Sequence, residues 1–134
     1  MANTAKEVTK ICVNKSRFRV FFGPGKKKFV DCFAVEHRGS AGYVSAAGNQ
    51  LAVLSKAEGM SDVGVVYKPD KHGWSYSFRS LGETDVEEIV SWHGGGGHKQ
   101  AAGCTAEWFL QKIPITNSNN NKILKLQIDL SRKM

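Results

Sequence analysis

His93-Gly94-Gly95-Gly96-Gly97-His98-Lys99-Gln100-Ala101-Ala102-Gly103 is the stretch that composition leaves unexplained. Four consecutive glycines make a backbone costly to order, because glycine loses the most conformational freedom on folding. A chain carries that cost mainly where side chains must be absent so that something can approach the backbone. Consecutive peptide N–H groups free of Cβ atoms form concavities that bind anions, and His98 stands at the downstream edge as a further donor. The competing readings are a flexible linker and a tight structural turn, and the flanks weigh against the linker. Upstream, Thr84-Asp85-Val86-Glu87 has the form of a capping box, and Val86, Ile89 and Val90 recur at helical spacing. Downstream, Ala101, Ala102 and Gly103 suit tight packing, and Trp108 and Phe109 supply apolar bulk. A phosphate-bearing ligand at Gly94, Gly95, Gly96, Gly97 and His98 is the expectation.

The strand before this run carries the second candidate. Trp74, Tyr76 and Phe78 alternate with Ser75, Ser77 and Arg79, so the aromatics share one face and Arg79 takes the other. The aromatic face reads as core. Arg79 then stands on a rigid strand, a placement suited to holding a phosphate or carboxylate. Taken alone, a surface salt bridge to Glu83 or Glu87 is the simpler role.

Other elements follow from pattern. Residues 16–22 and 27–36 read as strands joined by the turn Gly23-Pro24-Gly25-Lys26. That turn is no P-loop, since Val20 stands where the first glycine is required and Lys27 where Ser or Thr is required. Leu51, Leu54 and Ala57 predict a helix over 46–58, ended by Gly59. Residues 63–67 read as a buried strand and 69–73 as a turn. Leu124, Leu126, Ile128 and Leu130 alternate with polar residues and predict a strand.

Two further segments resemble a known family once the glycine run is set beside them. His93 to Gly103 resembles the signature of the DHH-associated C-terminal domain of DHH-family phosphoesterases, which include exonucleases, oligoribonucleases and cyclic-dinucleotide phosphodiesterases. Ser77-Phe78-Arg79-Ser80 is similar to that family's Ser-Leu-Arg-Ser strand, and Gly48-Asn49-Gln50-Leu51-Ala52 to the helix that opens the domain. The resemblance covers about residues 45 to 108. It implies that His98 and the glycine amides hold a phosphate while Arg79 takes another phosphate or a base edge. It also implies a separate catalytic domain, because the family's metal centre rests on aspartates and an Asp-His-His triplet, and neither that triplet nor an Asp-x-Asp occurs in this sequence. The chain therefore looks like the substrate-binding half, without a cofactor of its own. Divalent Mn or Mg enters only if a catalytic domain is supplied elsewhere, in cis or in trans, and this chain alone is not expected to hydrolyse phosphodiesters. The alternative is an RNA-binding or self-association module like the C-terminal domain of alanyl-tRNA synthetases.

Length, charge and cysteines set the remaining bounds. A chain of 134 residues suits one domain, and the patterns predict an α+β fold, a mixed β-sheet packed by two or three helices. Within it, 1–44 is expected to be a basic strand hairpin, 45–113 the core with the glycine-rich loop, 114–122 a linker and 123–130 a terminal strand, with 1–8 and 131–134 frayed. Residues 1 to 40 hold nine lysines and arginines against three acids, so they carry +6 of the net +7. A basic segment beside a phosphate site suits a nucleotide or single-stranded nucleic acid, with Lys26, Lys27 and Lys28 as contacts, and a solubilising strand pair fits equally well. Cys12, Cys32 and Cys104 are odd in number without Cys-x-x-Cys spacing, which argues against a disulfide framework or cysteine zinc site. No apolar run approaches membrane-spanning length, so no membrane partner is expected and an intracellular, cytoplasmic setting is, with an organelle left open.

Overall fold

The computed structural model describes residues 4–114. In chain order the elements are α1 (Thr4–Val13), β1 (Ser16–Phe22), β2 (Lys28–Glu36), α2 (Val44–Ala57), β3 (Val63–Asp70), β4 (Gly73–Ser80), α3 (Val86–Ser91), β5 (Gly96–His98), β6 (Ala101–Ala106) and β7 (Leu110–Lys112). The seven strands form one mixed sheet in the order β5-β6-β4-β3-β2-β1-β7, so the described residues make a single α+β domain. All pairings are antiparallel except β2 with β3, where α2 supplies the crossover.

Chain length forces this sheet to curl. Five inter-strand steps separate β6 from β7, about 24 Å if the sheet were flat. The link from Ala106 to Leu110 reaches at most about 14 Å, so the two margins must approach each other. The concave side holds the larger core, with Phe18, Val20, Val65, Tyr76, Phe78 and Leu110 packed on α3. Residues 107–109 cross it: the Phe109 ring lies 4.2 Å from Tyr76, and the Tyr76 hydroxyl donates to the Glu107 carbonyl at 2.9 Å. On the convex side, α1 and α2 cover Phe33, Val35 and Val66 with Val8, Cys12, Ala47 and Leu51. At Gly64 a side chain would overlap the α2 backbone, so helix and strand meet there directly.

Several expectations need correction. Residues 4–8, expected to fray at the head of a hairpin segment, belong to α1, which packs through Val8 and Cys12. The strand from Val63 runs on to Asp70, so Pro69 is paired and the turn shrinks to Lys71-His72. The capping residue of α3 is Asp85, whose side chain accepts from the Glu88 amide, one position beyond the Thr84–Glu87 box. Helix α2 ends with Gly59 at φ +83°, as its sequence suggests. The three cysteines are free and buried, and burial pushes the Cys32 thiol up to about 12 and the Cys104 thiol to about 11. Both therefore stay protonated and inert. The linker expected beyond Pro114 and the strand expected over 123–130 lie outside the described residues.

Candidate functional site

The glycine run is three structural glycines and one that the fold does not require. Gly94 closes α3 in the left-handed region at φ +83°. Its amide donates to Ser91 at 3.4 Å and that of Gly95 to Val90 at 2.9 Å, the Schellman pattern of a helix end. Those two N–H groups are therefore spent on α3 carbonyls, and the expected anion concavity does not extend to them. A Cβ at Gly95 would strike Cys104 at 2.5 Å, and Gly97, at φ +148°, would strike the Ala101 carbonyl at 2.6 Å. At Gly96 φ is ordinary and nothing lies within 4 Å of the direction a side chain would take. As the sheet's edge strand, β5 also leaves alternate backbone groups pointing outward.

Register brings His98 and Arg79 together. Arg79 pairs with Ala101, and Ala101 pairs with His98. Paired residues on adjacent strands share a face, so the three form one row across β4, β6 and β5, with Arg79 and His98 about 10 Å apart at Cα. The next row is Ser77, Gly103 and Gly96. Helix α2 packs on β2, β3 and β4, and β6 and β5 form a low shelf beside it, floored by Gly103, Ala101 and Gly96. Tyr76 and Phe78 are buried on the opposite face and Trp74 is half-buried there.

Arg79 is positioned by its neighbours. Its stem lies against Gly48 of α2, its Nε donates to Ser45 Oγ at 3.3 Å and its Nη1 donates to the Phe78 carbonyl at 3.1 Å. Glu83, one expected salt-bridge partner, pairs with Lys56 instead. The guanidinium is half-buried and oriented, and its charge is not neutralised by a carboxylate among the described residues.

Two buried polar residues hold this frame: Asp62, which sequence reading did not single out, and Ser80, the last residue of the Ser77–Ser80 motif. Asp62, 1% exposed, accepts from the amides of Leu81, Glu83 and Thr84 at 2.8–3.1 Å. Burial alone would raise its pKa, but the hydrogen bonds from Thr84, Glu83 and Leu81 prevail and hold it below the ordinary aspartate value. Ser80 donates through its hydroxyl to Thr84 at 2.7 Å and through its amide to Gln100 at 3.1 Å. The Val86 amide donates to Lys99 at 2.9 Å, so the β5–β6 turn is bolted to the end of β4 and the start of α3. An isolated Asp offers no sequence signal for this, whereas Ser80 closes the Ser77–Ser80 motif.

The remaining candidates fall elsewhere. His93 donates from Nε2 to the Phe21 carbonyl at 2.9 Å and stacks on Phe109 at 3.8 Å, a structural role. Lys26 belongs to the 3-10 turn Pro24–Lys26, close enough to His93 to lower its pKa, and Lys28 lies 3.8 Å from Glu88 of α3. Lys28, the first residue of β2, thus reaches the exposed side of α3, and Lys26 acts on His93 only through its charge. Among the described residues, no three His, Cys, Asp or Glu side chains cluster as metal ligands, and no helix is long and apolar enough to cross a membrane.

A family model for the DHHA1 domain matches residues 27–126, which takes in the whole shelf, α2, α3 and the glycine run. The chain belongs to the DHHA1 domain family. No curated protein matches the DHHA1 chain. Among solved structures it is similar to the crystal structure of an uncharacterized protein from Helicobacter pylori G27, with 21% identity and a TM-score of 0.48. That likeness covers 93% of this DHHA1 chain and 30% of the other, so the chain spans under a third of that protein's length.

Proposed function

We propose that this DHHA1 domain recognises a phosphate of a nucleotide or nucleic acid on the shelf formed by Gly96, Gly97, His98 and Arg79, as the substrate-binding half of a DHH-type phosphoesterase. The observation that carries the reading is the shared row of Arg79 and His98 on one face, beside a glycine that neither backbone conformation nor packing requires. A guanidinium and an imidazole about 10 Å apart across a floor without side chains suit a ligand with two separated polar groups, such as a phosphate and a base edge. Family membership associates the chain with DHH-family phosphoesterases. Hydrolysis belongs in this reading to a separate Asp-His-His domain with its own Mn or Mg. In this reading the role of this chain is to bind and orient the ligand.

A half-site of this kind binds modestly, in the micromolar to millimolar range that about 4–8 kcal/mol represents. Titration of the labelled chain with adenosine monophosphate and with a dinucleotide tests the reading. Amide shifts are expected at residues 96–103 and 77–80, reduced in Arg79→Ala and in His98→Ala and lost in Gly96→Val. Absence of shifts at millimolar ligand would favour the self-association module instead.

A further inference from the structure

Lys15-Ser16-Arg17-Phe18-Arg19-Val20-Phe21 splits its side chains between the two faces of β1. Phe18 and Val20 enter the concave core, so Lys15, Arg17, Arg19 and Phe21 take the convex side. Their partners on β2 continue the pattern, with Arg17 opposite Phe33, Arg19 opposite Asp31 and Phe21 opposite Phe29. Among the described residues, helices α1 and α2 pack on Phe33 and not on Phe21 or Phe29 in the outer half of the hairpin. Phe29 is 48% exposed and its ring centre lies 5.9 Å from that of the half-buried Phe21.

Three cations here lie over phenyl rings. The Arg19 guanidinium sits 3.9 Å over Phe29 and is held by Asp31 through two bonds at 2.8 and 3.1 Å. Lys15 and Arg17 lie 5.3 and 5.5 Å from the Phe33 ring centre, with Arg17 bonded to Glu58 at 3.2 Å. Both guanidinium charges are thus compensated. Lys15, Lys26 and Lys27 carry no ion pair among the described residues. A shallow cleft of about 250 Å³ borders Arg19, Phe21 and Gln111, and another of about 200 Å³ lies between Lys15, Arg17 and Phe33. A face built only for solubility has no need of an exposed Phe29 ring beside the half-buried Phe21, since apolar surface left in water forgoes the free energy of burial. The exposed Phe29 ring, the half-buried Phe21 and the Arg19 guanidinium form one patch, with Lys15 and Lys27, unpaired among the described residues, toward its two ends, while Arg17 and Phe33 are buried beneath it. Such a patch matches the features that bind a single strand, sequence-tolerant stacking along a cationic path.

We infer that the convex face of β1 and β2 binds single-stranded nucleic acid, with bases stacked on Phe21 and Phe29 and phosphates beside Lys15 and Lys27. This surface goes beyond the proposed shelf and is separate from it: the two occupy opposite margins of the convex face, with α1 and α2 between them.

Fluorescence anisotropy of labelled twelve-nucleotide oligo(dT) and oligo(rU) on the full chain tests it, with thermal unfolding as the control for folding. Phe21→Ser with Phe29→Ser is expected to weaken both oligomers about thirtyfold or more, while Phe29→Trp retains binding. Lys15→Gln with Lys27→Gln is expected to flatten the slope of log affinity against log salt by about 1.4. If the double serine variant does not fold, Phe29→Ala alone, at an exposed site, carries the same expectation with a smaller loss. Oligomer affinity unchanged in the phenylalanine variants would overturn the inference. So would a change confined to sedimentation, which would make the face a protein interface. If adenosine monophosphate gives no shifts on the shelf while oligomer binding still depends on Phe29, the proposed function fails and this inference stands.

Discussion

Gly48 of α2 and Arg79 of β4 are in direct contact: a Cβ at position 48 would fall 2.7 Å from Arg79 Cγ. Helix propensity disfavours glycine at this interior position by about 1 kcal/mol, so its presence reflects the room that the arginine stem needs. Gly48→Ala is expected to gain helix propensity, lose it again to the clash, and leave thermal stability within about 1 kcal/mol of the parent. Its main effect is to push Arg79 off its bonds to Ser45 and Phe78. Binding of adenosine monophosphate should weaken as in Arg79→Ala, and unchanged binding would show that the guanidinium position is unimportant.

The four glycines separate in an alanine series. Gly95→Ala and Gly97→Ala bring a methyl group against the β6 backbone and should each cost about 1–3 kcal/mol in urea unfolding. Gly94→Ala, strained only by its positive φ, should cost about 1 kcal/mol. Gly96→Ala meets open space and should unfold like the parent while weakening nucleotide binding. A stability loss at Gly96 equal to that at Gly95 would mean that all four residues serve the fold.

Much of this arrangement was legible in the sequence, because local chemistry decides it. The alternation of Trp74 to Arg79 fixes which side of β4 faces the core, and Gly59 marks the end of α2. What escaped depends on partners far along the chain. The short β5 and β6, rich in glycine and alanine, have little strand character of their own and become strands by pairing with β4. Helix α1 does carry a periodic signal at Val8, Ile11 and Cys12, but its polar and β-branched residues mask it, and α2 supplies the surface that makes it worth forming. The row joining Arg79 to His98 is a matter of register, which no single segment encodes. That two of the four glycine amides are spent on α3 follows from where the helix ends, which the capping pattern at its start does not specify.

Asp62 makes stability dependent on acid. Its folded pKa lies below the ordinary aspartate value of 3.8, so its contribution is fully present above that value and is lost as the pH falls through the folded one. Asp62→Asn keeps one acceptor oxygen and should lower stability at neutral pH by about 1–3 kcal/mol. Between neutral pH and pH 2 the parent should lose more stability than the variant, so the two melting curves converge. Parallel curves would remove Asp62 from the acid response.

His93 makes a second pH dependence, at higher pH and at the entrance to the glycine run. Burial disfavours its charged form, the Phe21 carbonyl partly offsets this, and Lys26 adds to the depression, so its pKa falls below 6.5. The carbonyl fixes the proton on Nε2, leaving the neutral ring stacked on Phe109. A depressed histidine favours the folded state fully above its unfolded pKa of 6.5, and that contribution is lost as the pH falls through the lower folded value. Carbon-bound ring protons should report the titration by NMR below 6.5. His93→Phe retains the stacking and removes the titration, so its stability should change less than the parent's between pH 7 and pH 5, at the cost of about 1 kcal/mol for the lost bond. Because His93 precedes Gly94 directly and ties it to β1, amide exchange at Gly95 and Gly96 should quicken in this variant. Unaltered exchange there would confine His93 to the aromatic core and free the glycine run from its influence.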